Sequence, residues 1–328
     1  MLPLLLLILG LAVAPAAGIT LTSKDGRIAL SFGDDVSAGL RGISVGDAHF
    51  ALSSGGTTLD LPNSTASATV TAAGPSGVTI ERVVSGADGS GVTVEEKFVP
   101  SASSVHCTVT VKDFRGAAGK ENAPWTAPIT TALTLADSSR LRLWAPWDRE
   151  SSHHSDGSNW IDPLQPSDGH DGWWDGSYYY GLVSAGARSP GDTIVAPMAT
   201  VLDPGEGGED GAGNAGFSVL LDPTDEQLEL ELHVTRDGGI AFARSLFRFD
   251  PKAGRGRGYA GPSVAQHVFE LDFVGHAGCW RPALAASVAR WPSLWAPVEP
   301  AAIAAIVCGR YATYVTTPLT VDLTHTSV

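Results

Sequence analysis

Five of the nine tryptophans, Trp144, Trp147, Trp160, Trp173 and Trp174, fall in one stretch that ends in Tyr178-Tyr179-Tyr180. Interleaved with them are Asp148, Arg149, Asp156, Asn159, Asp168, His170, Asp171 and Asp175. Flat apolar rings beside planar hydrogen-bonding groups suit a polyhydroxylated ligand. The rings stack on C–H faces, while carboxylates, amides and imidazoles pair with hydroxyls. Trp144, Trp147, Trp160, His170, Asp171, Trp173 and Trp174 are therefore the candidate ligand-binding residues. The bland alternative is that several of these rings merely plug the end of a core.

Other chemistry in the stretch is less specific. His153, His154 and His170, or His106 upstream, have the ring nitrogens for acid–base work or metal binding, but no spacing compels either. Asp168, Asp171 and Asp175 offer oxygen ligands for Ca2+, yet their spacing matches no EF-hand loop. A solvated acidic loop is the preferred reading, and no cofactor is expected. Paired carboxylates for glycoside hydrolysis must sit at a set separation, which a sequence does not measure. No Gly-x-Ser-x-Gly elbow, P-loop lysine or Cys/His zinc spacing occurs.

Gly, Pro, Ser and Asp interrupt 144–180 too often for a helix or a long strand, so it reads as an ordered functional loop. The flanking elements that must position it read as β. Ile28–Phe32, Val78–Val84, Val92–Phe98 and Val105–Val111 alternate apolar and polar residues. Gly89-Ser90-Gly91 marks a hairpin between two of them. Further strands are expected at Tyr179–Val183, Ile194–Leu202, Phe217–Leu221, Gln227–Thr235, Ile240–Phe249 and His267–Val274, with a hairpin at Asp237-Gly238-Gly239. Asp203–Gly216 reads as an acidic Gly-rich loop. Beyond Gly275 the pattern turns Ala-rich, and Arg281–Trp291 reads as a helix with Pro282 at its start.

The bulk numbers bound the class. The chain has 328 residues, 43% hydrophobic and 17% charged, with a net charge of −14. It is long enough for a large β domain with a real core. Its acidity argues against nucleic acid and anionic membrane surfaces. Residues 1–18 read as a signal peptide: Leu4–Val13 is apolar but too short to span a bilayer, and Ala14, Ala16, Ala17 and Gly18 suit cleavage. The expectation is a secreted chain that leaves the membrane on cleavage. Of Cys107, Cys279 and Cys308, Cys107 reads as a buried thiol, and a Cys279–Cys308 bridge is left open. Asn63-Ser64-Thr65 is an N-glycosylation sequon, usable in a eukaryotic secretory route.

A wider set of motifs carries a resemblance. These are Trp144-Ala-Pro-Trp147, Asp162-Pro-Leu164, Tyr180-Gly181, Ala196–Pro204, Phe217–Pro223, Arg244–Arg248, His276–Pro282 and Trp291–Pro297. In this order they resemble the N-terminal galactose-mutarotase-like β-supersandwich of large secreted glycoside-hydrolase-like proteins. The resemblance covers about 140–315 and implies an all-β antiparallel supersandwich over 19–275. Residues 276–328 would then form a helical linker and tail leading toward a (β/α)8 barrel absent from this chain. Since the catalytic carboxylates of such proteins lie on the barrel, the resemblance implies a carbohydrate-binding or supporting module, non-catalytic as it stands. Two alternatives stay open. One is a sugar-active enzyme, hydrolase or aldose epimerase, using Asp and His of 148–175. The other is a structural module whose aromatic loop packs on a partner domain.

Overall fold

The computed structural model describes residues 18–33, 39–59, 63–115, 125–138, 141–144, 160–161, 176–180, 197–203, 215–223, 230–234, 239–248, 266–278 and 281–295. The first strands run in short antiparallel succession: β1 (Ile19–Thr22), β2 (Ile28–Phe32), β3 (Leu40–Val45) and β4 (Ala48–Leu59). Next come β5 (Ser64–Gly74), β6 (Gly77–Gly86), β7 (Gly91–Pro100), β8 (Ser104–Arg115) and β9 (Trp125–Leu135). Then follow β10 (Arg142–Trp144), β11 (Trp160–Ile161), β12 (Gly176–Tyr180) and β13 (Met198–Asp203). The last strands are β14 (Ala215–Leu221), β15 (Leu230–Val234), β16 (Gly239–Arg248) and β17 (His267–Ala277).

They form two antiparallel sheets. One has eight strands in the order β1-β2-β3-β4-β9-β16-β15-β12, the other nine in the order β11-β10-β13-β14-β17-β8-β7-β6-β5. The fold is thus all-β and antiparallel, as the alternation predicts. The expected hairpin between β6 and β7 closes through Gly86 N–H donating to Ser90 O at 2.8 Å. The strands β15 and β16, flanking the Asp237-Gly238-Gly239 signal, pair antiparallel.

Period-2 alternation builds the core. The inward positions Ile28, Leu30 and Phe32, Val78, Ile80 and Val84, Val105, Cys107, Val109 and Val111, and Phe269, Leu271 and Phe273 are all buried. Edge-on aromatic contacts tie the layers: Phe32 meets Phe98 at a centroid distance of 4.8 Å, and Phe50 meets Phe217 at 5.0 Å. Cys107 is buried and free, as expected. Burial first, and then the charges of Glu96 and Asp272, push its thiol well above the usual range, so it is inert packing.

Two charged residues also enter the core. Arg82 on β6 and Glu96 on β7 lie at inward positions, 9% and 1% exposed. Arg82 Nε donates to Glu96 Oε2 at 3.1 Å, and Nη2 approaches the same oxygen at 3.0 Å. Glu96 Oε1 accepts the Thr57 N–H of β4 at 2.7 Å, which fastens the nine-stranded sheet to the eight-stranded one. Gly56 has φ +145°, and a Cβ there would overlap the guanidinium, with Cζ at 2.9 Å. Glycine is what allows the arginine to lie against this backbone.

The chain divides into two compact units, the first ending at Ala283 and the second covering Leu284–Val328. The expected helix is present as α1 (Arg281–Arg290), with Pro282 in its first turn, followed by the short α2 (Pro292–Trp295). No described helix is long and apolar enough to cross a membrane.

Candidate functional site

Two of the seven candidate ligand residues fall on described strands. Trp144 ends β10 and Trp160 begins β11, and the antiparallel register sets them directly opposite one another. The row continues across the sheet through Thr200 on β13, Ser218 on β14, Val274 on β17 and Ser104 on β8. Trp147, His170, Asp171, Trp173 and Trp174 lie outside the described residues, as do His153, His154, Asp168, Asp175, Cys279 and Cys308. The stretch 144–180, read as a loop up to a strand starting at Tyr179, also holds the short β11, and β12 begins at Gly176, three residues earlier than expected. Tyr178–Tyr180 carries the β preference of aromatic residues, which outweighs the turn residues beside it. The Asp203–Gly216 loop is likewise shorter than expected, because β14 begins at Ala215.

On β17 the odd positions Phe269, Leu271 and Phe273 face the inter-sheet core, so the even positions Glu270, Asp272, Val274 and His276 face outward. Near β8 this outer face carries a histidine between two carboxylates. His106 Nδ1 lies 3.4 Å from Asp272 Oδ1, and its Nε2 lies 3.7 Å from Glu270 Oε1. Ser104 Oγ donates to Asp272 Oδ1 at 3.1 Å, and Thr108 Oγ1 is 3.3 Å from His106 Nε2. The Asp272 side chain is buried at 5% exposure, while His106 and Glu270 reach solvent at 22% and 37%. A fixed carboxylate on one ring nitrogen and a looser, solvated carboxylate near the other is an arrangement that can accept, hold or pass a proton. The group can also pair with ligand hydroxyls.

Further along the same face, Thr200 Oγ1 and Ser218 Oγ lie 2.7 Å apart, and Ser218 Oγ is 2.9 Å from His276 Nε2. All three residues are buried. His276 Nδ1 has no hydrogen-bond partner among the described residues. Burial holds the ring neutral, lowering its pKa to about 4. The alternate positions Met198, Leu202, Leu220 and Val274 are buried as well, so both faces of this strip are closed to water. The Thr200–Ser218–His276 chain is therefore an internal polar link, while the cluster around His106 is the part that meets solvent. No described group of His, Cys, Asp or Glu has the geometry to hold a metal ion.

The sequence reading named His106 only as one of several histidines and missed Glu270 and Asp272. The available signal was the charged alternate positions of an otherwise apolar strand, Val268-Phe-Glu-Leu-Asp-Phe-Val274.

By sequence, the chain matches no family model and no curated protein. Several solved structures are similar to it at low identity. It is similar to an α-N-acetylgalactosaminidase from Bifidobacterium bifidum at 13% identity and TM-score 0.47, over 88% of this chain and 40% of that one. It is similar to a galactose mutarotase related enzyme from Lactobacillus acidophilus at 8% identity and TM-score 0.43, over 80% and 98% of the two chains. A galactose mutarotase-like protein from Lactobacillus casei ATCC 334 shares 11% identity at TM-score 0.41, over 79% and 100%. These are likenesses of fold and assign neither substrate nor activity.

Proposed function

We propose that the chain is a secreted carbohydrate-binding or supporting β-supersandwich of a glycoside-hydrolase-like protein. The observation that carries this reading is the register of the β10–β11 edge, which brings Trp144 and Trp160, sixteen positions apart in sequence, directly opposite one another. That edge belongs to the sheet whose outer face bears His106, Asp272 and Glu270. Aromatic residues at the sheet edge would supply the stacking faces, and polar groups on the sheet would pair with hydroxyls. Trp147, His170, Asp171, Trp173 and Trp174 are proposed to complete the ligand surface. Neither a metal nor an organic cofactor is part of the proposal.

His106, partly exposed between two carboxylates, favours a second reading, a sugar-active enzyme that moves a proton at this sheet face. One experiment tests both. Oligosaccharides are titrated against the chain from Ile19 onward, following tryptophan fluorescence, beside Trp144→Ala, Trp160→Ala and Trp173→Ala. Binding that weakens at least tenfold in these variants supports the ligand surface. Turnover of the bound sugar that His106→Ala abolishes moves the protein to the enzyme reading. A folded β spectrum with no binding to any glycan would sink both and leave a structural module.

A further inference from the structure

The outer strand β5 presents an edge that its own residues do not protect. Among the described residues it is the last strand of the nine-stranded sheet, paired on one side with β6. Its sequence, Ser-Thr-Ala-Ser-Ala-Thr-Val-Thr-Ala-Ala-Gly over Ser64–Gly74, holds no charged residue and no proline. Ala68 alone of its residues is buried. A long, uncharged edge offers unpaired N–H and C=O groups to another strand, and proteins normally block such edges with lysine, proline or a covering element. The register shift between Val70 and Ala72 is the one irregularity, and it lies past the middle of the strand. Its first half stays regular.

The strand's own residues supply no guard, but the head of the strand offers a chemical substitute. Asn63, exposed and at φ +54°, forms the turn residue that leads directly into β5. Asparagine tolerates this left-handed conformation. The next two residues are Ser64 and Thr65, which complete the Asn-x-Thr acceptor pattern with a non-proline residue in the middle. Thr65 is exposed and pairs with Ser85 of β6.

We propose that Asn63 is an N-glycosylation acceptor and that its glycan shields the open β5 edge. The assignment rests on the export reading above. The co-substrate is a lipid-pyrophosphate-linked oligosaccharide. Asn63 Nδ2 forms a bond to the anomeric carbon, the anomeric C–O bond to the pyrophosphate breaks, and the lipid pyrophosphate leaves with the electron pair. Nδ2 gives up one proton. A bulky, hydrated group at the first turn of the edge then obstructs approach of a second strand, as an edge lysine would.

The test is the full chain expressed in a eukaryotic secretory host, once with its own residues 1–18 and once with those residues replaced by a proven secretory leader. Intact mass is read before and after peptide N-glycosidase treatment. The expected result is a glycan mass that the enzyme removes, leaving Asp at position 63. Asn63→Gln and Thr65→Ala should lack it, and Ser64→Ala should keep it. Protein delivered to the medium with Asn63 unmodified, under either leader, overturns the acceptor assignment while export stands. Intracellular protein from the native leader, with glycosylated protein from the replaced one, overturns the export reading and keeps the acceptor. For the shielding role, the enzyme-treated folded protein should self-associate several-fold more than the untreated one, and Thr69→Lys should reverse this. Treated protein that stays as monodisperse as untreated protein overturns that half.

Discussion

The nine-stranded sheet contains charged clusters on both of its faces, and they differ in every respect that separates architecture from a site. Facing the core, Arg82 and Glu96 are closed to water, meet at 3.0–3.1 Å, and are tied to the opposite sheet through the Thr57 N–H at 2.7 Å. Facing outward, His106 meets its carboxylates at 3.4 and 3.7 Å, and one of them, Glu270, is more than a third exposed. The inner pair spends its hydrogen-bonding capacity on fixed protein partners. The outer cluster has longer contacts and keeps part of its surface in solvent. Charge by itself therefore does not separate a site from architecture in this fold; what distinguishes the outer cluster is its longer contacts and the solvent access of His106 and Glu270.

The first way to break this comparison is to remove half of the inner pair. Glu96→Ala leaves a buried guanidinium and an unpaired Thr57 N–H, and should cost on the order of 3–5 kcal/mol of unfolding free energy in urea titration. Replacing both residues by apolar ones, Arg82→Met with Glu96→Leu, should recover most of that loss. If Glu96→Ala unfolds within about 0.5 kcal/mol of wild type, the pair is not what joins the sheets.

A second test concerns pH. His276 has a folded pKa near 4, below the ordinary value of 6.5, because burial disfavours the charged ring. Its contribution is fully present above the unfolded pKa and is lost as pH falls through 6.5 toward 4, because the unfolded chain binds the proton more readily. Carried to completion, the loss is on the order of 3 kcal/mol. His276→Gln should flatten that part of the stability–pH curve between pH 7 and 4. An unchanged slope in the variant would assign the acid sensitivity to other groups.

Smaller again is the effect expected at Gly216, over which the His276 ring lies. A Cβ there would overlap Leu202 and come within 2.8 Å of both His276 Cε1 and Val201 O. Gly216→Ala should cost about 1–3 kcal/mol by overpacking, and the His276 part of the pH profile should move with it. Loss of stability without any change in that profile would separate the two residues.

How far these features could be read from the sequence follows from the physics of each. Strands such as β2 and β8 announce themselves, because Ile28-Ala-Leu-Ser-Phe32 and Val105-His-Cys-Thr-Val-Thr-Val111 alternate with one side buried. The second half of β4 and all of β5 do not, since Ser53-Ser-Gly-Gly-Thr-Thr58 and Ser64–Gly74 lack large apolar residues and look like turns. They are strands because their neighbours complete the ladder. The Trp144–Trp160 pair was legible as two aromatic residues but not as partners, because register over an intervening loop is a tertiary property. The His106 cluster was illegible for the same reason: β8 and β17 are distant in sequence and adjacent only in the sheet.

The smallest structural effect, and the one that sharpens the contrast most, belongs to the outer cluster. Glu270→Gln and His106→Gln change side chains that water partly reaches, so unfolding free energies should shift by under about 1 kcal/mol. Asp272→Asn should cost more, because that carboxylate is buried and accepts from Ser104. If the cluster serves a ligand, the two mild variants should nonetheless weaken sugar binding or turnover by tenfold or more. Stability nearly untouched and ligand response strongly altered is the signature of a site. The reverse pattern, a loss as large as that of Glu96→Ala with unaltered ligand response, would make the outer cluster a second piece of architecture.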